Sequence, residues 1–232
     1  MIKNVDNKIE TRSFVKRDNV SEAFDLIIQK EIDLRSIRNS ISVFNPSQIT
    51  ECDRRMVYRS ARTPTTIPEN YQQKLDKEFD ISKWKDLISK TKGMRLVKTD
   101  VIASDCNYNI SGTIEAVINI KGDIFVVKIF PISNEDFIKV NKEGAIKKNV
   151  IETMIYIWMA ETKDGIMVYE NKDTNQWISF HVNIYASIIR AVQRKCLEMM
   201  RHTIQGTLPK KPYESKTSKE CVKCEFLEKC WM

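Results

Sequence analysis

The residues of this chain best suited to chemistry are cysteines. Near its end it reads Cys221-Val-Lys-Cys224-Glu-Phe-Leu-Glu-Lys-Cys230, a C-x2-C-x5-C run. Thiolates two residues apart can turn onto one ion or cluster, but three leave a four-ligand shell incomplete, and Cys52 is the best upstream candidate for the fourth. The first residues, Met1-Ile-Lys-Asn-Val-Asp-Asn-Lys8, carry charges where a secretion signal needs its apolar segment. In such a chain, clustered thiols are expected as metal ligands rather than disulfide partners. Four thiolates suit a zinc ion or a cubane 4Fe–4S cluster, and composition does not separate the two. Unligated small hydrophobes are the bland alternative. A bound cofactor of either kind would close a very long loop and contribute folding free energy outright. Cys106 and Cys196 lack close partners and are expected to be buried thiols.

The elements that must position these thiols follow from composition and periodicity. The chain has 232 residues, 42% hydrophobic and 30% charged, enough for one good core. No apolar run approaches the roughly 18 residues of a membrane span, so no membrane contact and a cytoplasmic location are expected. The formal net charge of +7 suits a polyanionic partner, nucleic acid first.

Residues 1–18 read as an arm, and apolar residues at helical spacing over 21–38 predict a helix with Ser21 as N-cap. Ser47 is positioned to cap a short helix carrying Cys52, Arg54, Arg55 and Arg59, broken by Thr63-Pro-Thr-Thr-Ile-Pro68. Residues 69–92 read as a charged helix with Leu75, Phe79, Trp84 and Leu87 as its apolar part. Strands are expected at 94–103, 108–120 and 123–130, the last two joined by the turn Lys121-Gly122-Asp123. Phe125, Val126 and Val127 are consecutive apolar residues, as in a strand covered on both faces. A helix over 143–160, a second hairpin (166–169 and 177–182) and a long helix over 183–204 follow, then a basic linker from Gly206 to Pro212. The expected parts are an N-terminal arm and helix (1–43), a helical segment with the first cysteine (44–92), a core (93–205) and the cysteine tail (206–232). Helices before and after a mixed sheet indicate an α/β or α+β domain.

This order of parts resembles the iron–sulfur nucleases related to RecB, including the CRISPR-associated exonuclease and the nuclease domain of AddB, which share the PD-(D/E)xK core. Glu51-Cys52-Asp-Arg54-Arg-Met-Val-Tyr58 looks like their upstream cysteine motif. Gly206-Thr-Leu-Pro209 and the cysteine tail look like their downstream motif. The resemblance covers roughly residues 44–232. It implies a restriction-endonuclease-like mixed sheet flanked by helices, its N- and C-terminal ends joined by a four-Cys cluster on Cys52, Cys221, Cys224 and Cys230. It favours 4Fe–4S over zinc. Gly112-Thr-Ile-Glu115 is similar to the family's Gly-x-x-Asp, and Val126-Val-Lys128 to its acidic-x-Lys motif. Glu152-Thr-Met-Ile-Tyr156 is similar to its helical Gln-x-x-x-Tyr motif.

The departures bear on catalysis. Phosphodiester hydrolysis on this fold needs Mg²⁺ or Mn²⁺ held by hard oxygen ligands, and Val126 offers none. The family's upstream metal-binding histidine has no counterpart, since His181 and His202 both lie beyond the hairpin. Glu152 can supply a migrated carboxylate, with Lys128 to orient the water and Tyr156 to contact the strand, whereas Asp100 and Asp123 are less plausible donors. Each also has a bland reading: exposed strand Glu115, sheet-edge Lys128, solvated Glu152, core Tyr156. The resemblance implies a nuclease-like DNA-binding protein of replication, recombination, repair or transcription with impaired or absent catalysis. The alternatives are an active Mg/Mn-dependent single-stranded DNA exonuclease and a zinc-bound protein-interaction module. Arg54, Arg55, Arg59, Lys147, Lys148, Arg190, Arg194, Lys210 and Lys211 are the candidate phosphate contacts. Partner proteins of a nucleic-acid-processing assembly are also expected.

Overall fold

Three successive segments rich in β-branched residues form an antiparallel meander: β1 (Met94–Asp105), β2 (Ile110–Ile120) and β3 (Asp123–Ile132). In the computed structural model, the described residues are 42–65 and 82–232, all within the unit Ile41–Met232. The arm and helix expected over 1–38, with Leu75 and Phe79 of the later helix, lie outside the described residues. The β2–β3 turn is made by Lys121 and Gly122 at φ 54° and 106°, a two-residue turn whose left-handed backbone matches strand twist. The Asn119 side chain accepts from the Gly122 N–H at 3.0 Å.

From β3 the chain crosses over through two helices, α3 (Asn134–Glu143) and α4 (Lys147–Met159), and returns as β4 (Asp164–Asn171) parallel to β3. β5 (Trp177–Asn183) closes the sheet antiparallel to β4, giving the order β1-β2-β3-β4-β5. The long helix α5 (Ala186–Gln205) follows, and Gly206 at φ 64° terminates it. Before the sheet come α1 (Asp53–Ser60) and α2 (Ser82–Lys90), and the tail holds two short helices, α6 (Lys219–Val222) and α7 (Leu227–Trp231).

Each sheet face is covered. Val126, Met167 and Tyr169 pack with Met154, Tyr156 and Ile157 of α4, while Ala116, Val127 and Val168 pack with Trp84 and Ile88 of α2. Consecutive Val126 and Val127 thus serve opposite cores, which is why the apolar run is unbroken. The other side of α4 meets α1 and α5 through Ile155, Met56, Val57, Val192 and Met199. Gly165 makes the α4 approach possible, since a Cβ there would meet Ile157 at 2.8 Å.

Several expectations are corrected. The helix expected over 143–160 begins at Lys147, because Gly144 at φ 91° ends a separate helix α3. That helix was not anticipated; the Ser133 hydroxyl caps it by accepting from the Asp136 N–H. Asn45, not Ser47, provides the cap before α1, and it caps a single 3-10 turn, Pro46–Gln48. Strand β5 runs to Asn183, so the long helix starts at Ala186. Cys196 is buried, and burial pushes its thiol up to about 12, but Cys106 sits exposed in a 3-10 turn.

Candidate active site and cysteine cavity

Pairing of Ala116 with Val127 sets Glu115 level with Lys128 on adjacent central strands. The Lys128 ammonium donates to Glu115 Oε1 at 2.6 Å and to the Thr113 carbonyl at 3.4 Å. Lys128 is only 5% exposed on the middle strand, which rules out the sheet-edge reading. Its Nζ also lies 4.2 Å from the centroid of the Tyr156 ring on α4, a cation–π contact. Gly112 admits that ring: a Cβ there would collide with the Tyr156 hydroxyl and approach Pro46 at 2.9 Å. The Gly-x-x-Glu spacing therefore lets the tyrosine dock three residues along β2 from the carboxylate.

Burial raises the Glu115 carboxyl above its ordinary value, and Lys128 offsets part of that rise. Its Oε2 is buried and has no hydrogen-bond partner among the described residues. Burial likewise raises Glu152, with Lys128 opposing and Glu115 reinforcing the shift. The Tyr156 hydroxyl is pushed up by burial and then by the two glutamates, so it stays protonated. Four sequence-predicted residues, Glu115, Lys128, Glu152 and Tyr156, therefore share one electrostatic neighbourhood. Val126 is fully buried in the apolar cluster and adds no donor. Asp100, discounted from sequence, falls between the Thr99–Ala116 and Val101–Ile114 pairs, level with Glu115, and contributes to the rise of that carboxyl. A hydrogen bond from Lys85 at 2.6 Å occupies Asp100 and holds it below the usual carboxylate range. Only its strand register marks it, a signal that pairing with β2 reveals.

At the other end of α4, Cys52 immediately precedes α1 and lines a cavity of about 430 Å³ together with Cys221, Cys224 and Cys230. The tail is fastened to α1 by polar contacts. Arg54 donates to the Pro209 carbonyl at 2.7 Å, the Cys230 carbonyl at 3.2 Å and the Cys230 Sγ at 3.4 Å. Glu225 bridges Arg55 and Arg59, each at 2.6 Å, and both arginines also reach Glu51. Phe226 is buried beside Tyr58, ring centroids 5.2 Å apart. Arg54, Arg55 and Arg59, three of the expected phosphate contacts, therefore engage the tail. Among the described residues, no group of three or more His, Cys, Asp or Glu side chains is placed to hold a metal ion.

The other expected phosphate contacts are dispersed. Lys148 and Lys211 line the cysteine cavity, Lys147 flanks an apolar groove beside Ile151, Lys210 is exposed in the linker, and Arg190 and Arg194 are exposed on α5. Among the described residues no helix is long and apolar enough to cross a membrane.

No protein-family model and no curated protein sequence matches the chain. Solved structures do. The chain is similar to SSO0001 at 17% identity and TM-score 0.54, over 86% of this chain and 94% of that one. It is similar to LHK-Exo in complex with dAMP at 12% identity and TM-score 0.55, over 73% and 93%; LHK-Exo is described as an alkaline exonuclease from Laribacter hongkongensis. A phage-related exonuclease from Haemophilus somnus 129PT matches at 11% identity and TM-score 0.50, over 73% and 97%. At these identities the likeness speaks for the fold. The mixed five-stranded sheet with flanking helices is restriction-endonuclease-like, as expected from the sequence.

Proposed function

We propose that this protein is a nuclease-like DNA-processing protein whose catalytic centre is rebuilt on Glu115, Glu152 and Lys128. The observation that carries this reading is the buried, unpartnered Oε2 of Glu115, held beside Lys128 and within electrostatic reach of Glu152. An orphaned buried carboxylate oxygen is costly, and two carboxyls both raised by burial are what a divalent cation would relieve. Magnesium commonly binds through one or two carboxylates plus substrate phosphates, so Glu115 and Glu152 fit as its protein ligands. When bound, Mg²⁺ or Mn²⁺ would supply charge neutralisation at the phosphate and a more acidic water. Lys128 orients that water and offsets negative charge developing on the phosphate. Tyr156, kept protonated, donates to a non-bridging phosphate oxygen, and the α4 cover limits bulk water.

The same reading assigns a 4Fe–4S cluster to Cys52, Cys221, Cys224 and Cys230, with zinc as the alternative. The donor set supports it: four thiols line one cavity, with Arg54 donating to one sulfur. A bound cluster would fasten the chain's end to α1. The substrate is single-stranded DNA, handled in the cytoplasm within a replication, recombination, repair or transcription assembly. Buried Val126 favours a second reading, in which the fold binds DNA and catalysis is lost.

A labelled single-stranded oligonucleotide incubated with Mn²⁺ distinguishes them. The first reading expects degradation that Glu115→Ala and Lys128→Ala each abolish. Salt-dependent retention without cleavage supports the second, and neither cleavage nor retention overturns both.

A further inference from the structure

Helix α5 buries Ile189, Val192, Cys196 and Met199 against the rest of the molecule. On its outward side Arg190, Arg194, Leu197 and Arg201 are all exposed. At about 100° per residue these four fall within a sector of about 60°, and the three guanidinium groups span about 17 Å of helix at 1.5 Å per residue. Unlike Arg55 and Arg59, none of the three has an ion-pair partner among the described residues. The surface along them is concave. A groove of about 460 Å³ lies between Tyr108 and the pair Arg190 and Arg194. A second, of about 370 Å³, lies between Arg194 and Arg201. Arg194 and Leu197 line both, so the two form one track, with Glu198 the single acid along it.

We infer that this stripe is a second binding surface for single-stranded DNA, set apart from the catalytic centre by the thickness of α4. The chemistry fits a phosphate backbone: unpaired guanidiniums in a row, a partly exposed aromatic ring at one end for a base to stack on, and a chain of net charge +7. Glu198 stands to one side of the arginine row and disfavours partners that need close contact there, such as a flat anionic membrane. The stripe holds a strand away from the reacting bond and raises its local concentration. This inference rests on the DNA-processing reading for its ligand, not on catalysis.

The test is fluorescence anisotropy of labelled oligo(dT) over a series of sodium chloride concentrations. The protein compared is the full chain, its Arg190→Ala/Arg194→Ala/Arg201→Ala variant, and a charge-matched Lys98→Ala/Lys121→Ala/Lys142→Ala control. Losing three phosphate contacts should lower the slope of log K against log salt by about 2, at about 0.7 per contact on single strands. Affinity at low salt should fall by about tenfold or more, with the control nearly unchanged. Equal losses in the two triple variants, an unchanged slope, or retention on anionic phosphatidylserine vesicles in place of DNA overturns the inference. Parallel Mn²⁺ cleavage separates it from the catalytic reading. No cleavage by the full chain, with affinity lost in the arginine variant, refutes catalysis and supports the stripe. Cleavage by the full chain, with both variants binding alike, refutes the stripe alone.

Discussion

Lys128→Met is the most informative single change. The lysine is nearly buried, its side chain 6% exposed against 20% for Glu115, and the two groups meet at 2.6 Å. Removing one partner of a buried pair costs about 3–5 kcal/mol, because the other charge is left uncompensated. Water reaches Glu115 to a limited extent, which argues for the lower end, about 3 kcal/mol. For a domain of this size that corresponds to about 6–12 °C in Tm. The loss should depend on pH. Burial already holds the Glu115 carboxyl above its ordinary value, so the folded state binds that proton more tightly than the unfolded state. Stability from this group is therefore present at low pH and is lost as pH rises from the unfolded value to the folded one. Without Lys128, which holds that value down, the folded value moves higher still, so the deficit should widen as pH rises above the ordinary carboxylate range. Glu115→Gln combined with Lys128→Met removes both charges and should recover at least half of the loss. Urea denaturation of the four species across that rise in pH measures all of this. A single-variant cost below about 1 kcal/mol, or a double variant worse than Lys128→Met, refutes the claim that the pair is electrostatically buried.

Other consequences are as direct. Although burial acts to raise Glu225, the hydrogen bond from Arg55 and the charges of Arg59 and Arg55 hold it below the usual range. Its stabilisation should fade as pH drops through that lowered value; Glu225→Gln should cost about 2 kcal/mol near neutrality, and limited proteolysis should then cut the tail first. Gly112→Ala should cost about 1–3 kcal/mol through overpacking against the Tyr156 hydroxyl, and adding Tyr156→Phe should return part of it in thermal melts. Cys221→Ser with Cys224→Ser should lower the yield of folded protein far more than Cys106→Ser, whose site is exposed. Anaerobically prepared protein should absorb broadly near roughly 400 nm with about four irons per chain; stoichiometric zinc instead would replace the cluster but keep the four-cysteine fastening.

Local chemistry made much of the sheet readable. The left-handed turn at Lys121-Gly122 and the unbroken Phe125-Val126-Val127 run carry the meander and its central strand in a few residues each. Helix α3 was missed because its exposed face dominates: only Phe137 and Val140 are buried, too few for a periodic signal. The tail helices are four and five residues long, shorter than any periodicity can register. The site was legible only in part. Glu115 and Lys128 were marked by motif spacing, but that Lys128 is buried depends on which strands flank it. The pairing of Arg59 with Glu225 was not legible, because the two lie 166 residues apart. A guanidinium beside a distant carboxylate looks, in sequence, the same as one facing solvent.

The parallel pairing of β3 with β4 has a temporal meaning. Glu115 and Lys128 are 13 residues apart within one hairpin, so they can meet as soon as the meander forms. Glu152 and Tyr156 arrive on the crossover, whose strand pairing is non-local and correspondingly slow. A chain caught with the meander alone would hold its two opposite charges in contact yet still hydrated, where such a pair is worth about 0–1 kcal/mol. Docking of α4 strips that water away, so the burial of these charges depends on contacts more distant in sequence than the hairpin that brings them together.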